Sequence, residues 1–186
     1  MKSASDENIL LLLRNSATFE QGFALLMQTF QEQLYWHIRR MVNDHEDAND
    51  VLQNTFIKVF RGYNTFEEKS KLYTWLYRIA TNESLTFLQK KKTSISIDGE
   101  ISGAWNQLQA DAYFDGDAAQ LLLQNAVESL PEKQKLVFNM RYYGEMPYEE
   151  MSTILDTSVG ALKASFHHAV KKIERFVQEH KADELN

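Results

Sequence analysis

The chain has 186 residues, 44% of them apolar, and a net charge of −6; this suits one sizeable domain or two small ones and excludes a disordered tail. It has no cysteine, which excludes disulfides and thiolate metal sites. Its longest apolar run, ILLLL at 9–13, is far short of the ~20 residues of a membrane span and lacks the basic flank of a signal peptide, so a soluble, cytoplasmic protein with no direct membrane insertion is expected.

Ser5, followed by Asp6 and Glu7, reads as a helix cap with acids in the first turn. A second helix is expected over about 18–42, with Phe19, Phe23, Leu26, Met27, Phe30, Leu34 and Ile38 along one side. A third follows at 44–60, where Ala48, Val51, Leu52, Thr55, Phe56, Val59 and Phe60 recur every three or four positions and must face a core. Its opposite side carries Asp47, Asp50, Gln53 and Asn54, with Ile57 beside them. After a polar loop at 62–70, the stretch 71–92 predicts a fourth helix. Four such helices burying their stripes together make a small bundle.

Residues 93–117 read as a linker, within which TSISI at 93–97 is the one strand-like alternation; five residues cannot make a sheet alone. Trp105, Tyr113 and Phe114 in this stretch could dock elsewhere. Charge marks the same division. Residues 1–92 hold 12 basic and 11 acidic side chains, 93–128 hold no basic and 6 acidic, and 129–186 hold 8 and 9.

Helix signals resume at Ala118. Leu130-Pro131-Glu132 reads as a start with proline at the first helical position, Gly144 as the stop, and Pro147 as the next start. That helix ends at Asp156-Thr157, and Ser158 caps a last one. A short helix, a three-residue turn and a longer helix form the helix-turn-helix pattern, for which a plain helical hairpin is the bland alternative. Ala161, Leu162, Phe166, Ala169, Val170 and Ile173 are expected in the core, leaving Lys163, Ala164, His167, His168 and Lys171 outward, where DNA would lie. The whole is expected to be all-α: an N-terminal four-helix domain (1–92), an acidic linker (93–117) and a C-terminal helix-turn-helix domain (118–186).

The fourth helix interleaves Tyr73, Trp75 and Tyr77 with Lys71 and Arg78, a mixture suited to single-stranded nucleic acid. Trp75, with Leu72, Leu76 and Ile79, is assigned to the core; Tyr73, Tyr77 and Phe66 are the stacking candidates. Asn82 could pair with an unstacked base or bond a neighbouring backbone group. Lys90–Lys92 suit either a helix C-terminus or a phosphate. Asp44, Asp47 and Asp50, three apart, raise a magnesium-dependent enzyme as a rival reading, but acids are favoured at a helix start in any case. The five histidines lack metal-ligand spacing, and there is neither a nucleophile motif nor a glycine-rich phosphate loop. No catalytic function and no cofactor are expected.

Taken together, DANDVLQNTFIKVF, FEEKSKLYTWLYRIATN and the stretch from Leu130 to Ile173 resemble, in order and spacing, the bacterial RNA polymerase sigma factors of the extracytoplasmic-function group. The resemblance covers about 5–92 and 118–178. It implies a transcription initiation factor that binds core RNA polymerase, directs it to promoters and helps melt the minus-ten region, with promoter DNA (duplex and melted non-template strand) as a second partner and an anti-sigma factor as the regulator many members have. It implies Asp47, Asp50, Gln53, Asn54 and Ile57 as the polymerase face, although the family usually carries an acid where this chain has Asn54, and often one at Asn49. Phe66, Lys69, Ser70, Tyr73 and Asn82 match the family's minus-ten segment, with Tyr77 and Arg78 beside them. Lys163, Ala164, Ser165, His167 and His168 match its minus-thirty-five helix, joined by Lys171 and by the backbone donors from Ser158; arginines are frequent in the family at Ser165 and His168. The linker's acids suit a basic polymerase cleft, or a solvated tether. A stand-alone helix-turn-helix regulator of duplex DNA is the alternative function.

Overall fold

A computed structural model describes residues 4–98 and 118–183, with side chains over 6–93 and 119–180. Every regular element among them is helical, and the chain divides into two compact units, 1–99 and 100–186.

The first unit holds α1 (Ala4–Arg14), α2 (Phe19–Val42), α3 (His45–Gly62) and α4 (Leu72–Asp98), with one 3₁₀ turn at Tyr63–Thr65. Ser5 lies inside the first turn of α1 instead of preceding it. Gly22 lets α1 and α2 cross closely: a Cβ there would meet the Leu13 nitrogen at 2.8 Å and the Leu12 Cβ at 2.9 Å. The Thr18 hydroxyl donates to the Leu12 carbonyl at 2.8 Å, tying the start of α2 back to α1. Asn43, in the left-handed conformation at φ 61, ends α2, and the Asp44 carboxylate then caps α3 by accepting the Asp47 N–H at 2.9 Å.

Ile9, Leu26, Leu34, Ile38, Val51, Val59, Leu72 and Leu76 form the fully buried interior. The stripe expected on α3 is buried at Ala48, Val51, Thr55 and Val59, half-buried at Leu52 and Phe56, and exposed at Phe60. Phe60 comes late in the helix, with the rings of Phe19 and Phe23 leaning on it at centroid distances of 5.3 and 5.2 Å. α4 continues through Thr93 to Asp98. The alternation at 93–97 is therefore helical, and the first residues assigned to the linker belong to α4; the rest of that segment, with Trp105, Tyr113 and Phe114, lies outside the described residues.

The second unit holds α5 (Ala118–Glu128), α6 (Glu132–Tyr142), α7 (Tyr148–Leu155) and α8 (Val159–Asp183), with α5, α6 and α7 each packed on α8. Pro131 and Pro147 stand one position before their helices, as extended caps with ψ 141° and 143°. Gly144 follows the end of α6, where a Cβ would meet the Met140 carbonyl oxygen at 2.8 Å. The core gathers Ala126, Val127, Leu130, Phe138, Ala169 and Ile173. Leu162 is buried and Phe166 and Val170 half-buried as expected, but Ala161, in the first turn of α8, is exposed.

Candidate functional site

Three surfaces collect the candidate residues. On α3, Asp50, Gln53, Asn54 and Ile57 are all exposed, Ile57 at 41%. At 3.6 residues per turn they fall within about 100° of one another, a single outward row. Asp47 stands at its edge, half-buried, with its carboxylate 2.6 Å from the Lys91 ammonium of α4. The Asp47 N–H holds the Asp44 carboxyl below the ordinary carboxylate range. Asp44 is thus engaged in a cap and Asp47 in an ion pair, and among the described residues no group of three or more acids, histidines or cysteines could hold a metal.

The second surface joins the loop after α3 to the start of α4. Glu68 takes the left-handed conformation, φ 56, and its carboxylate accepts the Arg14 guanidinium from the end of α1. That ion pair ties the loop to a helix more than fifty residues away, and nothing in the sequence spacing signals it. Lys69 is exposed and pairs with Glu67 at 2.5 Å; the Ser70 hydroxyl lies 3.4 Å from the Lys71 carbonyl, a marginal bond. Phe66 is half-buried, its ring 5.0 Å from that of Trp75, which is itself half-buried. Trp75 therefore belongs to the loop surface more than to the core. Tyr77 is the reverse: it is 6% exposed, its hydroxyl donates to the Gln33 carbonyl at 3.4 Å and its ring lies 4.9 Å from His37. Burial raises its phenol pKa. Tyr77 is not available to stack on a base. Tyr73 is half-buried against Tyr77 at 4.2 Å, while Arg78 and Asn82 are exposed.

The third surface is the helix-turn-helix. Asp156 ends α7 in the left-handed conformation, φ 49, and Ser158 caps α8, its hydroxyl accepting the Ala161 N–H at 3.3 Å. Lys163, Ala164, His167, His168 and Lys171 are exposed, and Ser165 is half-buried. The rings of His167 and His168 lie 6.0 Å apart, both on the outward side.

Comparison with known proteins assigns these surfaces to recognised modules. The family model described as Sigma-70 region 2 matches residues 26–93, which carry the first two surfaces, and Sigma-70, region 4 matches 120–173, which carry the third. The ECF RNA polymerase sigma factor SigW of Bacillus subtilis is 28% identical over 166 residues, covering 84% of this chain and 89% of its own. The ECF RNA polymerase sigma-E factor of Escherichia coli K12 is 28% identical over 169 residues, 86% of this chain and 88% of its own. Among solved structures, the sigma factor RpoE in complex with the anti-sigma factor NepR from Bartonella quintana superposes with a TM-score of 0.68 at 20% identity, covering 84% of this chain and 96% of that one. CnrH in complex with the cytosolic domain of CnrY gives 0.68 at 18%, covering 94% and 98%. At these identities the structural likeness speaks for the fold.

Proposed function

The chain belongs to the extracytoplasmic-function sigma factors of RNA polymerase, and from that premise we infer how its surfaces divide the work. It is a transcription initiation factor that directs polymerase to promoters, and it is not an enzyme. Core RNA polymerase and promoter DNA are its partners. Residues 1–92 bind core and read the minus-ten region, 118–186 read the minus-thirty-five element, and the acidic stretch between is the connector.

The observation that carries this reading is the exposed row Asp50, Gln53, Asn54 and Ile57 on a helix whose other side is packed. Polar side chains with one apolar neighbour, presented by a rigid helix, suit docking on a protein helix, with Asp47 braced at the rim by Lys91. Asn54, where the family usually has an acid, offers a neutral bond in place of a charge-assisted one. Phe66, Trp75 and Tyr73 supply rings, Lys69 and Arg78 supply charge, and exposed Asn82 supplies base-edge bonding for a melted strand.

Energetics require the polymerase to share the work. Extruding a base costs a few kcal/mol and one aromatic stack returns ~1–3 kcal/mol, so a single pocket selects a base without holding a bubble open. On the part of α8 matched to DNA reading the outward cations are Lys163 and Lys171, with His167 and His168 beside them; Lys172 and Arg175 are exposed further along the helix. Each phosphate neutralised adds only ~0.9 to the salt slope, so this helix alone binds weakly. A stand-alone regulator would need more. A factor that works on RNA polymerase belongs in the cytoplasm; among the described residues no helix is long and apolar enough to cross a membrane. An anti-sigma factor, as in the complex of RpoE with NepR, is the proposed regulator.

The test is the double substitution Asp50→Ala with Gln53→Ala, assayed for core polymerase affinity and run-off transcription. Both side chains face solvent, so helicity is unchanged, and affinity falls at least ~10-fold, because a charge-assisted and a neutral bond are lost together. Undiminished affinity would refute the assignment of this face.

A further inference from the structure

The first residue of α7 sits between two cations from two other helices. The guanidinium of Arg141, in α6, lies 5.2 Å from the centroid of the Tyr148 ring, and the ammonium of Lys163, in α8, lies 5.8 Å from it. Both are within cation–π range. Neither the ring nor the arginine is loose. Phe166 meets the ring edge-on at 6.4 Å and 75°, and Phe166 is itself stacked on buried Phe138 at 5.8 Å. The Arg141 guanidinium also donates to the Met146 carbonyl at 3.2 Å, across the turn that leads into α7. The ordered core thus fixes the ring, and the ring presents a π face to an exposed lysine.

A lysine on a helix surface has four rotatable bonds and loses rotamer freedom when it is pinned on a phosphate. A ring that holds the ammonium near one place beforehand removes part of that loss. Tyr148 lies outside the polar pattern that singled out Lys163, and a tyrosine at the start of a short helix reads by itself as a core-edge residue.

We propose that Tyr148 is a positioning residue for minus-thirty-five recognition: its ring, anchored by Phe166 and Arg141, holds the Lys163 side chain poised for DNA. This rests on the reading that Lys163 contacts DNA. It adds that a residue touching no base sets the strength of that contact, and that the hydroxyl of Tyr148 is dispensable for it.

The experiment is a double-substitution cycle in the full chain bound to core polymerase, on a promoter selected by the wild-type holoenzyme from a library randomised over the minus-thirty-five window. Tyr148→Leu is expected to weaken binding to that promoter ~2–5-fold, the range of an exposed cation–π contact. Tyr148→Phe keeps wild-type affinity. In a Lys163→Ala background, Tyr148→Leu adds nothing. In the free protein, the Lys163 side-chain methylene protons show an upfield ring-current shift in nuclear magnetic resonance, retained in Tyr148→Phe and lost in Tyr148→Leu. An equal loss from Tyr148→Leu with and without Lys163 would overturn the proposal, by showing general damage to the fold. Loss in Tyr148→Phe would overturn it in favour of a direct hydroxyl contact. If the ring-current shift is present but Lys163→Ala leaves promoter affinity unchanged, the DNA role of Lys163 is what fails, and the positioning role falls with it.

Discussion

Between α2 and α4 the first unit buries a hydrogen bond, His37 Nε2 to the Thr81 hydroxyl at 2.9 Å, along with Thr55, Thr74 and Ser84, while ion pairs lash its rim: Arg14 to Glu68, Lys58 to Glu83 and Lys91 to Asp47. The second unit has an ion pair of its own, Lys135 to Glu128 at 2.8 Å, and stacks rings on the buried Phe138 at its core. Phe138 stacks on Tyr142 at 5.0 Å and on Phe166 at 5.8 Å, and Tyr148 joins Phe166 at the edge. Directional bonds fix the rotation of one helix about another, because a slip breaks them; stacked rings tolerate small slides. The first unit has to hold the α3 row, the Arg14-tethered loop and Asn82 in one register. The second has one helix to present, so packing suffices.

The sharpest way to break this comparison is Phe138→Ala. A truncated buried phenylalanine costs ~3–5 kcal/mol, enough to unfold a small unit. Hydrogen exchange should show residues 119–180 losing protection while 6–93 keep theirs; a common loss in both would mean the units share one stability.

A smaller effect separates the units by pH. Burial, with a lesser push from Arg40, lowers the His37 pKa from 6.5 to about 4. Between those values the unfolded state binds the extra proton, so the folded state loses stability as pH falls through 6.5 and the loss levels off near 4. From pH 7 to pH 5 the first unit should lose about 2 kcal/mol, and His37→Gln should flatten that dependence. Urea titrations in a Trp105→Phe background, where the fluorescence comes from Trp36 and Trp75 of the first unit, measure it. A slope unchanged by His37→Gln would remove the buried imidazole as its cause.

Smaller still is Gly22→Ala. The close approach of Leu12 and Leu13 makes the added methyl overpacked, at ~1–3 kcal/mol, offset by up to ~1 kcal/mol of helix propensity. A net loss of about 1–2 kcal/mol in the first unit alone is expected from the same titrations; a gain would mean that α1 yields readily.

The helix order, the cap at Ser158, the breaks at Pro131 and Pro147 and the three-residue turn before Val159 were legible in the sequence, because capping and proline act locally. The outward row of α3 was legible for the same reason that its stripe was: that helix hides one side only. α4 was misread where it packs on both α2 and α3. It buries Leu72, Thr74, Leu76, Tyr77, Ala80, Thr81 and Ser84, more than half its circumference. A single-stripe rule therefore left Tyr77 outside and drew Trp75 in. The Arg14 tether to Glu68 and the cations on Tyr148 join residues with no periodic relation, so only the folded chain reveals them.

The length of α4 has a spatial outcome. Its 27 residues run without a break from the loop side to Asp98, about 40 Å at 1.5 Å per residue. The polypeptide thus leaves α4 at the end opposite the loop that carries Phe66, Lys69 and Ser70. A substitution near Asp98 therefore acts roughly 40 Å along the helix axis from that loop.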